Sequence, residues 1–158
     1  MPPHATERFR EAAAAVGLDA DVVRFPKDTR TAQQAADAIG CELAQIVKSL
    51  IFSVGDEIVL VLTSGANRVD EARVAPLFDA DHLDRADPDA VRAATGFAIG
   101  GVPPCGHPEQ LRAVIDEDLM GFETIWAAAG APDSVFELTP AELRRVTGGT
   151  VAAVAATR

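Results

Sequence analysis

Cysteine, lysine, histidine and long apolar runs are scarce in this sequence of 158 residues, and each scarcity excludes something. The two cysteines, Cys41 and Cys105, stand 64 positions apart and make no disulfide framework, so a reducing cytoplasm is the expected location. No stretch approaches the roughly 18 apolar residues of a membrane span. The first residues, Met-Pro-Pro-His-Ala-Thr-Glu, lack the basic and apolar regions of a secretory signal. His4, His82 and His107 are scattered, and the run from Asp79 to Asp84 has no ligand spacing tied to a known site type, so neither a metal nor a cofactor is expected. Positive charge is also short: 24 acids face 14 bases, for a formal net charge of -10. Such a surface opposes the counterion release that drives bulk binding of nucleic acid, so any nucleic-acid partner must be engaged locally.

What is present suffices for one soluble globular domain, because 48% of the residues are hydrophobic and 24% charged, with no repeat, low-complexity tract or linker. Glu7 to Val16 reads as a helix ended by Gly17, Val22 to Phe25 as a short strand, and Pro26 to Arg30 as a polar connection. Thr31 and Gln34 have capping-box spacing ahead of a helix that runs to Gly40. Val47 to Val54 and Glu57 to Thr63 flank Gly55-Asp56 as a hairpin. Asn67 to Ala75 and Asp87 to Thr95 read as helices. Phe97 to Ile99, Val114 to Asp116, Thr124 to Ala128, Val135 to Leu138 and Thr150 to Ala155 read as strands. Thr139-Pro-Ala-Glu142 is a second capping box, with Leu138 and Leu143 at the staple positions. Trp126 and Phe136 read as core. Helices and strands mix without strict alternation, which predicts an α+β single domain with a mixed, curled β-sheet surrounded by helices.

Two features carry chemistry. Only Lys27 and Lys48 are lysine, and Lys48 lies inside an apolar strand, where period two gives it one face with Leu50, Phe52 and Val54. A lysine so placed either snorkels to the rim or points its ammonium into a ligand pocket. The second feature is the loop from Gly100 to Pro108. Gly100-Gly101 allows close backbone approach, while Pro103 and Pro104 stiffen the chain; free N–H groups at Gly100, Gly101 and Val102 would suit an oxyanion, and a simple tight turn is the alternative. The phosphate-loop spacings of nucleotide-binding folds are absent. Cys105 and His107 raise the option of a thiol nucleophile with a base, although nearness in sequence is no measure of reach.

The ordered set Ile46-Val-Lys48-Ser-Leu-Ile-Phe52, Thr95-Gly-Phe-Ala-Ile-Gly-Gly-Val-Pro-Pro-Cys-Gly106, Thr124-Ile-Trp-Ala-Ala-Ala-Gly130 and Val135-Phe-Glu-Leu138 resembles the YbaK/EbsC family of free-standing aminoacyl-tRNA deacylases. That family is similar to the editing domain of bacterial prolyl-tRNA synthetase. The resemblance implies one editing domain over residues 1–158. It implies a pocket for the 3′-terminal adenosine and a wrongly attached small amino acid, whose ester is cleaved by positioned water. It also implies that Lys48, Gly100 and Gly101 form the catalytic set, and that Phe25, Ser49, Val102 and Ala128 bind substrate. The implied partners are the acceptor end of a charged tRNA and an aminoacyl-tRNA synthetase. This chain departs from the family in having Phe25 where a tyrosine is frequent, Ala127-Ala128-Ala129 where some members carry serine, and Pro103 where serine is frequent. A non-catalytic aminoacyl-tRNA binding or sensor module is the alternative reading.

Overall fold

The computed structural model describes residues 5–25 and 31–156. The chain opens with helix α1 (Ala5–Ala15), strand β1 (Val22–Arg24) and helix α2 (Ala32–Ile39). The hairpin β2 (Val47–Val54) and β3 (Glu57–Ser64) follows, then α3 (Glu71–Val74), β4 (Asp84–Arg85) and α4 (Pro88–Thr95). The remainder is β5 (Ala113–Asp116), β6 (Ile125–Ala128), β7 (Ser134–Leu138), α5 (Pro140–Thr147) and β8 (Thr150–Ala152).

Local chemistry explains most of these boundaries. Thr31 accepts from the Gln34 N–H while the Gln34 side chain accepts from the Thr31 N–H, and Gly40 ends α2 in the left-handed region at φ 84°. Thr139 and Glu142 close the same reciprocal pair at the start of α5. Gly55, at φ 59°, takes the first central position of the two-residue turn that pairs Val54 with Glu57.

The strands form a five-stranded sheet, ordered β4-β2-β3-β5-β8, and a three-stranded antiparallel sheet, ordered β1-β7-β6. The larger sheet is mixed: β2 is antiparallel to β3 and β4, whereas β3–β5 and β5–β8 are parallel. The expected α+β mixed sheet is therefore present, and it is not closed into a barrel. Central β3 feeds two cores. Leu60 and Leu62 join Phe9, Phe97, Ile115, Ile125, Phe136 and Leu143 on one face, while Val59 and Val61 join Phe52, Val74, Phe78 and Val154 on the other.

Three expectations need correction. Residues 67–70 are not helical: Val69 bridges to Ala155, and Asp70 caps α3 by accepting from the Arg73 N–H, so the helix starts only at Glu71. Phe97 to Ile99 is a turn instead of a strand, because the Thr95 hydroxyl accepts from the Phe97 N–H and donates within the same corner, and the Gly101 N–H then bonds to the Ala98 carbonyl. The last strand ends at Ala152, short of the expected Ala155, and the pair β4, which carries no apolar alternation, has no counterpart in the sequence reading. The polar connection Pro26 to Arg30 lies outside the described residues.

Candidate active site

The two sheets touch along β2 and β6 at a single bridge, Ile46 to Trp126, and β2 regains a neighbour on that edge only at Phe52 and Ser53. The open edge between them forms one wall of a cavity of about 240 Å³. Lys48, Ser49 and Leu50 contribute from β2, and Trp126, Ala128, Ser134 and Val135 from β6 and β7. Phe25 and the first turn of α2 form a further side, and Gly100, Val102 and Pro132 the last. Period two explains the β6 contribution: Ile125 and Ala127 are buried in the core, so Trp126 and Ala128 turn toward the cavity.

Lys48 lines this space and its Nζ donates to the Asn67 carbonyl at 2.8 Å. One of its three protons is thereby used, and no protein acceptor takes the others among the described residues. Burial holds its midpoint below that of an ordinary lysine, and the negative charge of Asp116 acts in the opposite sense. It is the only titratable side chain among the described residues lining the cavity. The Ser49 Oγ is buried there without a hydrogen-bond partner.

The glycine loop divides its labour. Gly100, at φ 89°, occupies the third position of the turn from Ala98 to Gly101 and lines the cavity, as does Val102. Among the described residues no acceptor takes the N–H of either one. Gly101 differs from expectation. Its N–H is already donated to the Ala98 carbonyl at 3.0 Å, and its carbonyl accepts from the Gly130 N–H. A Cβ there would stand 2.7 Å from the Ala131 Cα, so Gly101 serves close packing of the loop and offers no free donor.

Cys105 and His107 belong elsewhere. They line a separate cavity of about 330 Å³ that shares no residue with the Lys48 pocket. Burial pushes the Cys105 thiol up to about 11, with Arg145 acting weakly the other way, so it is a thiol and not a thiolate at neutral pH. Burial also holds His107 below its ordinary value, opposed by its 2.8 Å bond to the Pro103 carbonyl. Among the described residues no group of three metal-ligating side chains occurs, and no helix is long and apolar enough to cross a membrane.

Of the residues singled out from sequence, Phe25, Lys48, Ser49, Gly100, Val102 and Ala128 meet at one cavity, and Gly101 supports it from behind. Trp126, read as core, does pack against the buried Ala35, Ala36 and Ile46, and what sequence reasoning missed is that it also stands in the cavity wall beside Ala128. The signal was there in the alternation of β6. It also missed Asn67 and Asp116, whose approach to Lys48 depends on pairing between strands far apart in the chain.

The sequence and the fold have counterparts. The uncharacterized protein YwhH of Bacillus subtilis is 36% identical over 124 residues, covering 78% of this chain and 78% of that protein. A proline--tRNA ligase of Leuconostoc mesenteroides is 33% identical over 77% of this chain, which spans only 21% of the ligase. A crystal structure described as a candidate trans-editing enzyme for prolyl tRNA synthetase superposes with a TM-score of 0.94 at 43% identity, covering 99% of this chain and 100% of the other. The sequence model of the aminoacyl-tRNA editing domain matches residues 26–146. The chain therefore belongs to the aminoacyl-tRNA editing domain family.

Proposed function

We propose that this protein is an editing hydrolase that removes a small amino acid from a mischarged tRNA, by directing water onto the ester. The observation that carries this reading is the half-buried Lys48 ammonium, anchored on the Asn67 carbonyl, at a small apolar cavity that also holds the Gly100–Val102 backbone. A cation and backbone donors in a poorly hydrated site stabilise the negative charge that develops on an ester carbonyl when water attacks. An activated ester demands neither a metal nor a protein nucleophile, and the cavity wall presents no thiol, imidazole or carboxylate among the described residues.

In this reading the amino acid occupies the cavity, with the ester near Gly100 and Val102 and the terminal nucleotide toward Lys48. The volume supports a small side chain, since about 240 Å³ is below the roughly 300 Å³ at which pockets for drug-sized ligands begin. Editing of small residues has a physical basis: a synthetase distinguishes one methylene by only about 1–3 kcal/mol, so small amino acids are mischarged and a second site must remove them. The names of the relatives make tRNA for proline the first carrier to test, and a proline synthetase the first partner.

The test is a panel of proline, alanine, cysteine, serine, threonine and 2-aminobutyrate esters on matched tRNAs. At least one is expected to be deacylated by the wild type, and Lys48→Ala is expected to abolish that activity. Full activity in Lys48→Ala would remove the lysine from the mechanism. Among the described residues the cavity wall presents no side-chain base, which favours one further reading, a non-catalytic sensor that would show binding of one ester and turnover of none.

A further inference from the structure

Lys48 has a support that its strand does not supply. Its Nζ is held by a main-chain carbonyl, that of Asn67, in the link between β3 and α3. Residues 65–68 belong to no helix or strand; main-chain bonds from the Asn67 N–H to the Ser64 carbonyl and from the Ala156 N–H to the Arg68 carbonyl hold the link along the chain, and a side chain ties it to the end of β5. The Asn67 side chain does this by donating from one Nδ2 to Asp116 Oδ2 at 2.8 Å and to Asp118 Oδ2 at 2.7 Å. Asp116, 1% exposed at the end of β5, also accepts the Ser64 N–H on Oδ2 at 3.0 Å and the Asp118 N–H on Oδ1 at 3.0 Å.

A carboxylate this deeply buried is costly unless it is compensated. Among the described residues Asp116 makes no direct ion pair within 4.0 Å; its compensation is these three N–H donors and the attraction of Lys48 through Asn67. The elements involved meet only because β3 and β5 lie side by side in parallel, which brings the end of β5 to the end of β3.

We infer that Asn67 is a positioning residue for Lys48, and that Asn67, Asp116 and Asp118 together form a clamp that sets where the ammonium stands at the cavity. The two carboxylates hold the asparagine side chain, the asparagine carbonyl holds the lysine, and the lysine keeps two protons for substrate. The catalytic part of this inference rests on the editing reading above; the clamp itself does not.

The chain has only two lysines, so protein labelled with 13C at lysine Cε gives two signals, and Lys27→Arg assigns them. In the wild type the Lys48 signal is expected to titrate below an ordinary lysine. Asn67→Ala should move both its chemical shift and its midpoint. Asp116→Asn, close to isosteric, should lower the midpoint further, because the nearby negative charge is lost. In deacylation, Asn67→Ala should reduce kcat/KM by about tenfold to 100-fold, the loss expected when a reacting group is displaced by about 1 Å.

An unaltered Lys48 signal and midpoint in Asn67→Ala would overturn the clamp. If Asp116→Asn does not fold, Asn67→Ala and Asn67→Ser, at a half-buried position, decide alone. A wild type that titrates as described yet deacylates nothing would defeat the editing reading and leave the clamp standing.

Discussion

Lys48 keeps its charge against the cost of burial, and the sign of that cost can be measured. Its folded midpoint lies below its unfolded one, so between the two the unfolded chain binds more protons and stability rises with pH. Below the folded midpoint the destabilising effect is fully present. Lys48→Met, which keeps the length and removes the charge, is therefore expected to raise the melting temperature at neutral pH while deacylation is lost; calorimetry of both proteins across pH checks it. A lower melting temperature would mean that the bond to Asn67 outweighs desolvation. Turnover that depends on Lys48 is expected to fall at alkaline pH, at a midpoint below that of free lysine, after subtraction of hydroxide hydrolysis. Cys105 gives the contrasting prediction. With its thiol raised to about 11 and its side chain in another cavity, Cys105→Ala should retain most activity, and the native thiol should resist alkylation at pH 7. A trapped acyl group on Cys105 would restore a covalent mechanism.

At the scale of elements, caps and turns set most boundaries, and their contributions are modest and separable. Thr139→Ala removes one half of the capping box of α5 and is expected to cost about 1 kcal/mol in denaturant unfolding. Gly101→Ala should cost more and should impair the site as well, because its Cβ would press on the Ala131 backbone at 2.7 Å and push the Gly100–Val102 loop toward the cavity. Thermal unfolding and deacylation measured together check this, and wild-type behaviour in both would refute the packing argument. The elements read correctly from sequence are those with local causes: the Thr31 and Thr139 capping boxes, the Gly55-Asp56 turn, and the alternation of β2. Those misread have distant causes. Residues 67–70 are kept extended by the bridge from Val69 to Ala155 and by the bond from the Asp70 N–H to the Val154 carbonyl, neither of which leaves a periodic trace. Trp126 packs on the small core of Ala35, Ala36 and Ile46, and only the break between the two sheets puts it in a cavity wall as well.

For the whole molecule, a formal charge of -10 limits how nucleic acid can be held. Binding of a charged tRNA is expected to be weak and to involve few phosphates, so the slope of log K against log salt should correspond to about two or three neutralised phosphates near the acceptor end. A much steeper slope, measured by titration between low and physiological salt, would mean that the duplex stem is gripped and that the acidic surface misleads. The sequence by itself determined the local structure and the chemistry on offer: a lysine in an apolar strand, a glycine pair stiffened by prolines, capped helices, and an ordered set of motifs that points to one family. Those properties follow from near neighbours, whose geometry is set by a few backbone angles. Only the tertiary structure decided which of these residues share a cavity, that Gly101 packs while Gly100 and Val102 face inward, that Cys105 stands apart, and that Asp116 reaches Lys48 through Asn67. These depend on the parallel pairing of β3 with β5 and on the opening between β2 and β6, contacts between segments 50 or more residues apart whose register no local pattern encodes.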